Sequence, residues 1–131
     1  MVRPMIESMC PFFTVSHVPR TIAFYADKLG FQTSYKEPEQ EPFFAIVDRD
    51  GASLFVKAGE ASPLPNPKRD LAMRWDAYCY TPDPDALAAE FTERAAPFSN
   101  ALKDTTDGLR GFEITDPDGY VLFFGRPREM A

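Results

Sequence analysis

The feature that constrains this chain most is an internal repeat. Residues 46–56, IVDRDGASLFV, align with residues 114–124, ITDPDGYVLFF, at an offset of 68 positions. Each copy consists of an apolar strand, an Asp-Gly turn and a second apolar strand, which is the pattern of a β-hairpin. We expect the glycine of each turn, Gly51 or Gly119, to take the positive φ that closes the hairpin. A repeat of this length predicts two copies of one supersecondary unit.

A helix is predicted before each hairpin. Two stripes of apolar residues recur at helical spacing: Val18, Ile22, Tyr25 and Leu29 in the first half, and Leu87, Phe91 and Ala95 in the second. Pro19 lies in the opening turn of the first helix, and Gly30 is placed to end it. Asp83 and Pro84 have the pattern of an N-cap and a first helical residue, and we expect Pro97 to end the second helix.

Four further strands complete the pattern. They are predicted before and after the two helices, at residues 10–15, 31–36, 75–81 and 100–105. Each half is then a βαβββ module, at about residues 8–58 and 73–127, and residues 59–72 form a Pro-rich linker. We therefore predict a single α+β domain over residues 1–131. In it two tandem modules form a curved mixed sheet, with helices outside and a concave cleft inside.

Composition excludes several classes of protein. Twenty acidic residues against fourteen basic ones give a formal net charge of −6, which disfavours nucleic acid as a partner. No apolar run is long enough for a membrane helix, and the first nine residues lack the apolar centre of a signal peptide, which favours a cytoplasmic protein. The two cysteines, Cys10 and Cys79, face opposite sides of the sheet by strand alternation, so both are predicted to be free thiols.

Three motifs together resemble a known family. They are FYADKLGF at residues 24–31, WDAY at residues 75–78 and DPDGY at residues 116–120. In this order, and placed on the repeat, they are similar to the glyoxalase/bleomycin resistance protein/dioxygenase superfamily, also called the vicinal oxygen chelate (VOC) superfamily. The resemblance covers nearly the whole chain and implies a single VOC domain. It implies less about function, because one fold carries many activities.

Enzymes of this family bind one divalent metal through His or Gln, Glu, His and Glu side chains on the first and last strands of the modules. The resemblance places these ligand positions at Cys10, Phe55, Asp76 and Phe123. Two phenyl rings supply no ligand atom, and a thiolate with one carboxylate is a poor set for such a metal. The single histidine, His17, follows the first strand, where we expect it to face solvent in a loop. We therefore predict no metal and no other cofactor.

The cleft is predicted to be lined by aromatic rings. Strand alternation and the resemblance together select five ligand-binding residues: Phe12, Phe55, Asp76, Tyr78 and Phe123. Flat rings with one carboxylate suit a planar or cationic organic ligand. The resemblance to the bleomycin-resistance branch then implies a metal-independent protein that binds a small molecule, for which an antibiotic is one candidate. No catalytic residue is assigned.

Two alternatives stay open at this point. One is an enzyme of the same superfamily, a lyase, isomerase or dioxygenase relative with an atypical metal site; the missing histidine ligands disfavour it. The other is that the rings only pack the modules together, as aromatic residues on strands often do. The resemblance also implies a homodimer, since clefts in this family are often completed across a twofold axis. Modules would exchange between chains at the Pro-rich linker.

Overall fold

The βαβββ order occurs twice in the computed structural model, which describes residues 3–66 and 75–128. The first module contains β1 (Phe12–Val15), α1 (Val18–Leu29), β2 (Gln32–Glu37), β3 (Phe44–Arg49) and β4 (Ala52–Ala58). The second contains β5 (Ala77–Tyr80), α2 (Pro84–Glu93), β6 (Phe98–Asp104), β7 (Leu109–Thr115) and β8 (Val121–Pro127). The predicted α+β fold of tandem modules is confirmed. The predicted linker lies outside the described residues beyond residue 66.

Hydrogen bonding divides the predicted curved sheet into two four-stranded sheets, one in each module. Their strand orders are equivalent, β1-β4-β3-β2 and β5-β8-β7-β6. In each sheet the first strand of the module pairs parallel with the last, and the remaining pairs are antiparallel. In the register of the parallel strands, Phe12 is paired with Phe55 and Tyr78 is paired with Phe123. The two sheets are therefore mixed, and residues related by the repeat occupy equivalent places in them.

The helix ends follow from local chemistry. His17 caps α1, because its Nδ1 accepts a hydrogen bond from the backbone N–H of Arg20 at 3.3 Å, and Gly30 ends the helix with a φ of 74°. Asp83 caps α2 and Pro84 is its first residue, as predicted. The exposed His17 thus serves the helix as well as facing solvent. No helix in the described residues is long and apolar enough to cross a membrane.

Two predicted details of the chain path are wrong. In the first hairpin Asp50, with a φ of 52°, takes the left-handed conformation instead of Gly51, whereas Gly119 takes it in the second at 86°. Aspartate tolerates this conformation because its short side chain can bond locally to the backbone. At the end of α2, Ala95 turns the chain with a φ of 57°, so the helix has ended before Pro97 is reached.

The core is one continuous cluster that includes side chains of both modules. Tyr25 and Leu29 of α1 and Phe91 of α2 are at most 1% exposed. Around Phe91, the rings of Phe112 and Phe124 pack edge-on at 5.7 and 5.2 Å between ring centres. Because these side chains come from the helices and from the sheet sides that face them, the opposite sides of both sheets take no part in the core.

Candidate functional site

The second hairpin turn, residues 116–119, binds the first module. Tyr25 donates a hydrogen bond from its hydroxyl to Oδ2 of Asp116 at 2.8 Å, and Oδ1 of Asp116 accepts from two backbone N–H groups of its own loop. Burial raises the pKa of Asp116 to about 6, although these hydrogen bonds oppose the shift. Asp118 accepts from both the backbone N–H and the hydroxyl of Ser16. The D-P-D-G motif therefore joins the modules as well as turning the chain.

The first hairpin turn binds the second module in the equivalent place. Arg49 forms two hydrogen bonds of 2.8 Å with the carboxylate of Glu90 in α2, and its guanidinium lies 5.7 Å from the centre of the Phe91 ring. The hydrogen bonds from Arg49 lower the pKa of Glu90 to about 2. Phe91 occupies the position in α2 that Tyr25 occupies in α1. The hairpin turn of each module therefore contacts the helix of the other module. We call this boundary, on the helix-facing sides of the sheets, the module seam.

The other side of the first sheet carries a cluster of aromatic rings. Phe12, Phe44 and Phe55 lie 5.9 to 6.1 Å apart between ring centres, and Tyr35 adds a ring 6.0 Å from Phe44. Phe12 is 57% exposed and Tyr35 is 48% exposed, whereas Phe13, which points the opposite way, is buried. We call these four rings the first aromatic face. It is open to solvent.

The second sheet carries a matching surface, the second aromatic face, made of Trp75, Tyr78 and Phe123. The Phe123 ring is stacked with Trp75 at 4.5 Å and with Tyr78 at 5.5 Å. Phe123 is only 2% exposed, whereas Tyr78 is 42% exposed. Glu113 lies opposite Phe123 in the β7–β8 register and accepts a hydrogen bond from Nε1 of Trp75 at 3.1 Å. This face therefore combines aromatic rings with a carboxylate.

Two glycines allow Phe123 to lie close to its sheet. Gly111 and Gly125 are paired across β7 and β8, beside the ring of Phe123. A Cβ on Gly111 would lie 2.5 Å from Cζ of Phe123, and one on Gly125 would lie 2.6 Å from Cε2. Each Cβ would also lie 2.4 Å from a backbone carbonyl oxygen, that of Phe124 for Gly111 and that of Arg110 for Gly125, so both the ring and the backbone would have to move.

The five predicted ligand-binding residues divide between the two faces. Phe12 and Phe55 belong to the first aromatic face, and Tyr78 and Phe123 belong to the second. Within the described part of the chain, no ring contact joins one face to the other. A single chain therefore brings the predicted residues together in two groups, not in one site.

Asp76, the fifth predicted residue, is bonded to the backbone. Its Oδ2 accepts hydrogen bonds from the N–H of Val121 at 2.8 Å and from the side-chain amide of Asn66 at 3.1 Å. It thereby fastens the start of β8 to the Pro-rich segment. Of the positions that resemble metal ligands, Phe55 and Phe123 offer no donor atom. Among the described residues, no three His, Cys, Asp or Glu side chains are grouped to hold a metal ion. This donor set does not fit the metal of the family's enzymes.

Both cysteines are free thiols, as predicted. Cys10 is partly exposed just before β1. Burial raises the pKa of Cys79 to about 11, so this thiol is protonated at neutral pH and is a poor nucleophile. Neither residue shows the setting of a catalytic cysteine.

A groove of about 720 Å³ runs along the module seam. Its walls include the core residues Tyr25, Phe91 and Phe124, and of the five predicted ligand-binding residues only Tyr78 borders it. A groove walled by the residues that hold the modules together is a weaker candidate than the open rings. We therefore place the candidate site on the two aromatic faces.

Four members of these faces were not among the predicted site residues: Tyr35, Phe44, Trp75 and Glu113. A signal for Glu113 was present, because it stands between two apolar residues of a strand and must point away from the core. Tyr35 gave a weaker signal, since a bulge between Thr33 and Tyr35 shifts the register of β2 against β3.

Comparison with known proteins supports the resemblance. Residues 9–124 match the family model of the Glyoxalase/Bleomycin resistance protein/Dioxygenase superfamily. None of the curated proteins matches the chain in sequence. Among solved structures, the bleomycin-binding protein of bleomycin-producing Streptomyces verticillus, complexed with copper(II)-bleomycin, is 26% identical with a TM-score of 0.67. That match covers 95% of this chain and 97% of the other.

Two further structures share the fold. TnmS3, an antibiotic binding protein from Streptomyces sp. CB03234, is 23% identical with a TM-score of 0.63, over 95% of this chain and 99% of that one. A glyoxalase/bleomycin resistance protein/dioxygenase from Alicyclobacillus acidocaldarius is 18% identical with a TM-score of 0.74, over 92% of each chain. At these identities the likeness is one of architecture.

Proposed function

Because the chain belongs to the glyoxalase/bleomycin resistance protein/dioxygenase superfamily, we propose that it binds a small organic molecule without using a metal. The ligand is planar or cationic, and it lies against aromatic rings. The observation that carries the proposal is the pair of aromatic faces, which expose Phe12, Tyr35 and Tyr78 on sheets whose other sides are filled by the core. An antibiotic is one candidate ligand, since the Streptomyces verticillus protein at 26% identity is complexed with copper(II)-bleomycin.

Exposed rings of this number need an explanation. Phe12, Tyr35 and Tyr78 each leave more than 40% of their surface in water, and they are grouped with other rings rather than scattered. Contiguous apolar surface on a folded chain marks a place where something binds. A flat ligand gains from such rings both by burying apolar area and by stacking, which contributes about 0.5–1.5 kcal/mol for each ring pair.

A second copy of the chain would complete the site. The modules of one chain use the helix-facing sides of their sheets to contact each other, so both aromatic faces stay free. We propose a homodimer in which the first aromatic face of one chain covers the second aromatic face of the other. A twofold axis then forms two equivalent clefts and closes the assembly. Each cleft combines Phe12 and Phe55 from one chain with Tyr78 and Phe123 from the other.

Independence from metal is supported by donor chemistry. Phenylalanines stand at two of the four positions that resemble metal ligands, and the carboxylate at a third, Asp76, is bonded to a backbone N–H and an amide. No observation in the described residues favours the alternative, an enzyme with an atypical metal site.

Two measurements on the purified chain test the proposal. Elemental analysis after dialysis is expected to find no stoichiometric Zn, Ni, Mn or Fe. Titration of the single tryptophan, Trp75, with bleomycin and with planar organic cations is expected to change its emission saturably in the presence of EDTA. Retained metal together with EDTA-sensitive binding would refute metal independence. A flat emission curve with every compound would refute ligand binding and leave the fold untouched.

A further inference from the structure

Glu113 places a carboxylate beside the rings of the second aromatic face. It stands opposite Phe123 on β7, while its neighbours along the strand, Phe112 and Ile114, are buried on the helix-facing side. Its Oε2 accepts the hydrogen bond from Nε1 of Trp75 at 3.1 Å, which holds the carboxylate at the edge of that ring. The Glu113 side chain is partly exposed, so a molecule lying on the face can reach it.

Several other acidic groups already have partners within the fold. Asp76 is bonded to a backbone N–H and an amide, Asp116 to a tyrosine hydroxyl, and Glu90 to two arginines. Glu113 forms no ion pair with a Lys or Arg of the described ranges, 3–66 and 75–128. Among the described residues, the polar side chain that the structure places on this carboxylate is the indole of Trp75.

The surface next to Glu113 is made of glycines and aromatic rings. Gly111 and Gly125 contribute no side chains there, and the Phe123 ring occupies the space beside their Cα atoms. Tyr78 and Trp75 rise from the same face with their rings 5.6 Å apart. A ring system that lies on Tyr78 and Trp75, the more exposed rings of this face, would have its edge near the Glu113 carboxylate. Such a position favours positive charge, both through the carboxylate and through the faces of the rings.

From this complementarity we infer that Glu113 selects the charge of the ligand, and that the second aromatic face takes a planar organic cation. The inference rests on the proposed function and narrows its ligand class from planar or cationic to planar and cationic. It also gives the charge-selecting role to Glu113 on β7 instead of Asp76, the carboxylate that the family resemblance and strand alternation had predicted. The surplus of acidic residues in the chain, with a formal net charge of −6, also favours the binding of a cation.

Glu113→Gln is a well-matched test of this role. The amide oxygen of glutamine can still accept the hydrogen bond from Trp75, so the substitution removes the charge and keeps the shape. Glu93→Gln, at the exposed end of α2, changes the net charge equally at a site remote from the rings and serves as the control. Two flat probes of nearly equal size are used: N-methylacridinium, a permanent cation, and acridine, which is uncharged at pH 8.

Calorimetric titration of the full chain at pH 8 gives the affinity ratio of the two probes. Wild type is expected to bind N-methylacridinium about tenfold more tightly than acridine, which corresponds to about 1.4 kcal/mol. Glu113→Gln is expected to bring this affinity ratio close to one. It should weaken the binding of N-methylacridinium and leave the affinity for acridine within about twofold of wild type. Glu93→Gln is expected to keep the wild-type ratio.

The outcomes separate the inference from the proposed function. Equal affinities of wild type for the two probes, or an unchanged ratio in Glu113→Gln, overturn the inference while the flat-ligand site stands. Loss of both probes in Glu113→Gln overturns it too, because the residue would then support the face without selecting charge. If wild type binds neither probe nor bleomycin, the proposed function fails and the inference falls with it.

Discussion

Replacing Tyr25 with Phe removes one hydroxyl from the module seam and leaves the ring in place. The hydroxyl donates to Asp116 at 2.8 Å, and both residues are almost completely buried, at 0% and 5% exposure. Burial raises the pKa of Tyr25 well above 10, so the phenol keeps its proton and remains a donor throughout the physiological range. The substitution therefore takes a donor away from a carboxylate that water does not reach.

The expected cost at pH 8 is about 1.5–3 kcal/mol, the range for a hydrogen bond to a charged group. For a chain of 131 residues this corresponds to a fall in Tm of roughly 6–12 °C. Tyr120→Phe is the matched control at the same seam. Its hydroxyl donates at 2.7 Å to a neutral acceptor, the backbone carbonyl of Thr14, so we expect a smaller loss of about 1 kcal/mol.

The pH dependence identifies Asp116 as the partner. Its pKa is about 6 in the folded chain, above the ordinary value of 3.8, so the folded state holds the proton more tightly than the unfolded state. The contribution of Asp116 to wild-type stability should therefore fall as pH rises from about 4 to about 6 and then level off. Without the Tyr25 hydroxyl the folded pKa rises further, and the fall continues to higher pH. The cost of Tyr25→Phe should thus be larger at pH 8 than at pH 5.

Urea unfolding at pH 5 and pH 8, followed by circular dichroism, measures both effects. We expect equal m-values for the two proteins and a lower urea midpoint for Tyr25→Phe at both pH values. The difference in midpoint from wild type should be larger at pH 8. A loss below about 0.5 kcal/mol, within the range of surface substitutions, would refute the assignment of the seam hydrogen bond. An equal loss at both pH values would refute the role given to the Asp116 carboxylate.

Three further expectations concern single positions. Gly125→Ala puts a Cβ 2.4 Å from the backbone oxygen of Arg110 and 2.6 Å from the Phe123 ring, so we expect a loss of about 1–3 kcal/mol in urea and a shifted tryptophan emission; an unchanged midpoint would contradict this close packing. Glu90→Gln removes a partly exposed carboxylate with a pKa of about 2. Its contribution, about 1 kcal/mol or less, is present above pH 4.5 and lost toward pH 2, so variant and wild type should converge in acid. Cys79, with a pKa of about 11, should resist iodoacetamide in the native protein while Cys10 reacts, and mass spectrometry showing rapid labelling of Cys79 would argue against the raised pKa of this thiol.

Much of the fold could be predicted because its determinants are local. The repeat fixed the two modules, and the caps of α1 and α2 and the stop at Gly30 each depend on a few neighbouring residues. Details that depend on turn geometry were harder to predict from the sequence. Both Asp50 and Gly51 can close the first hairpin, and composition alone does not decide which of them takes the positive φ.

The candidate site was less predictable, because its contacts join distant parts of the chain. Strand alternation placed Phe12, Phe55 and Tyr78 on the solvent-facing sides of their sheets correctly. It could not show that Asp76 is bonded to Val121, 45 residues away across the β5–β8 pairing. Nor could it show that the module seam leaves the rings in two separate groups, since that depends on how the folded modules pack.

The placement of each ligand site between two chains is tested most directly with mixed dimers. Phe12→Ala damages the first aromatic face and Tyr78→Ala damages the second, so a homodimer of either variant should bind N-methylacridinium weakly at both sites. A dimer with one chain of each kind, isolated through two different affinity tags, has one doubly damaged cleft and one cleft without a substitution. We expect it to recover the wild-type affinity at half the wild-type stoichiometry. A mixed dimer that binds no better than its parents would contradict a site shared between chains.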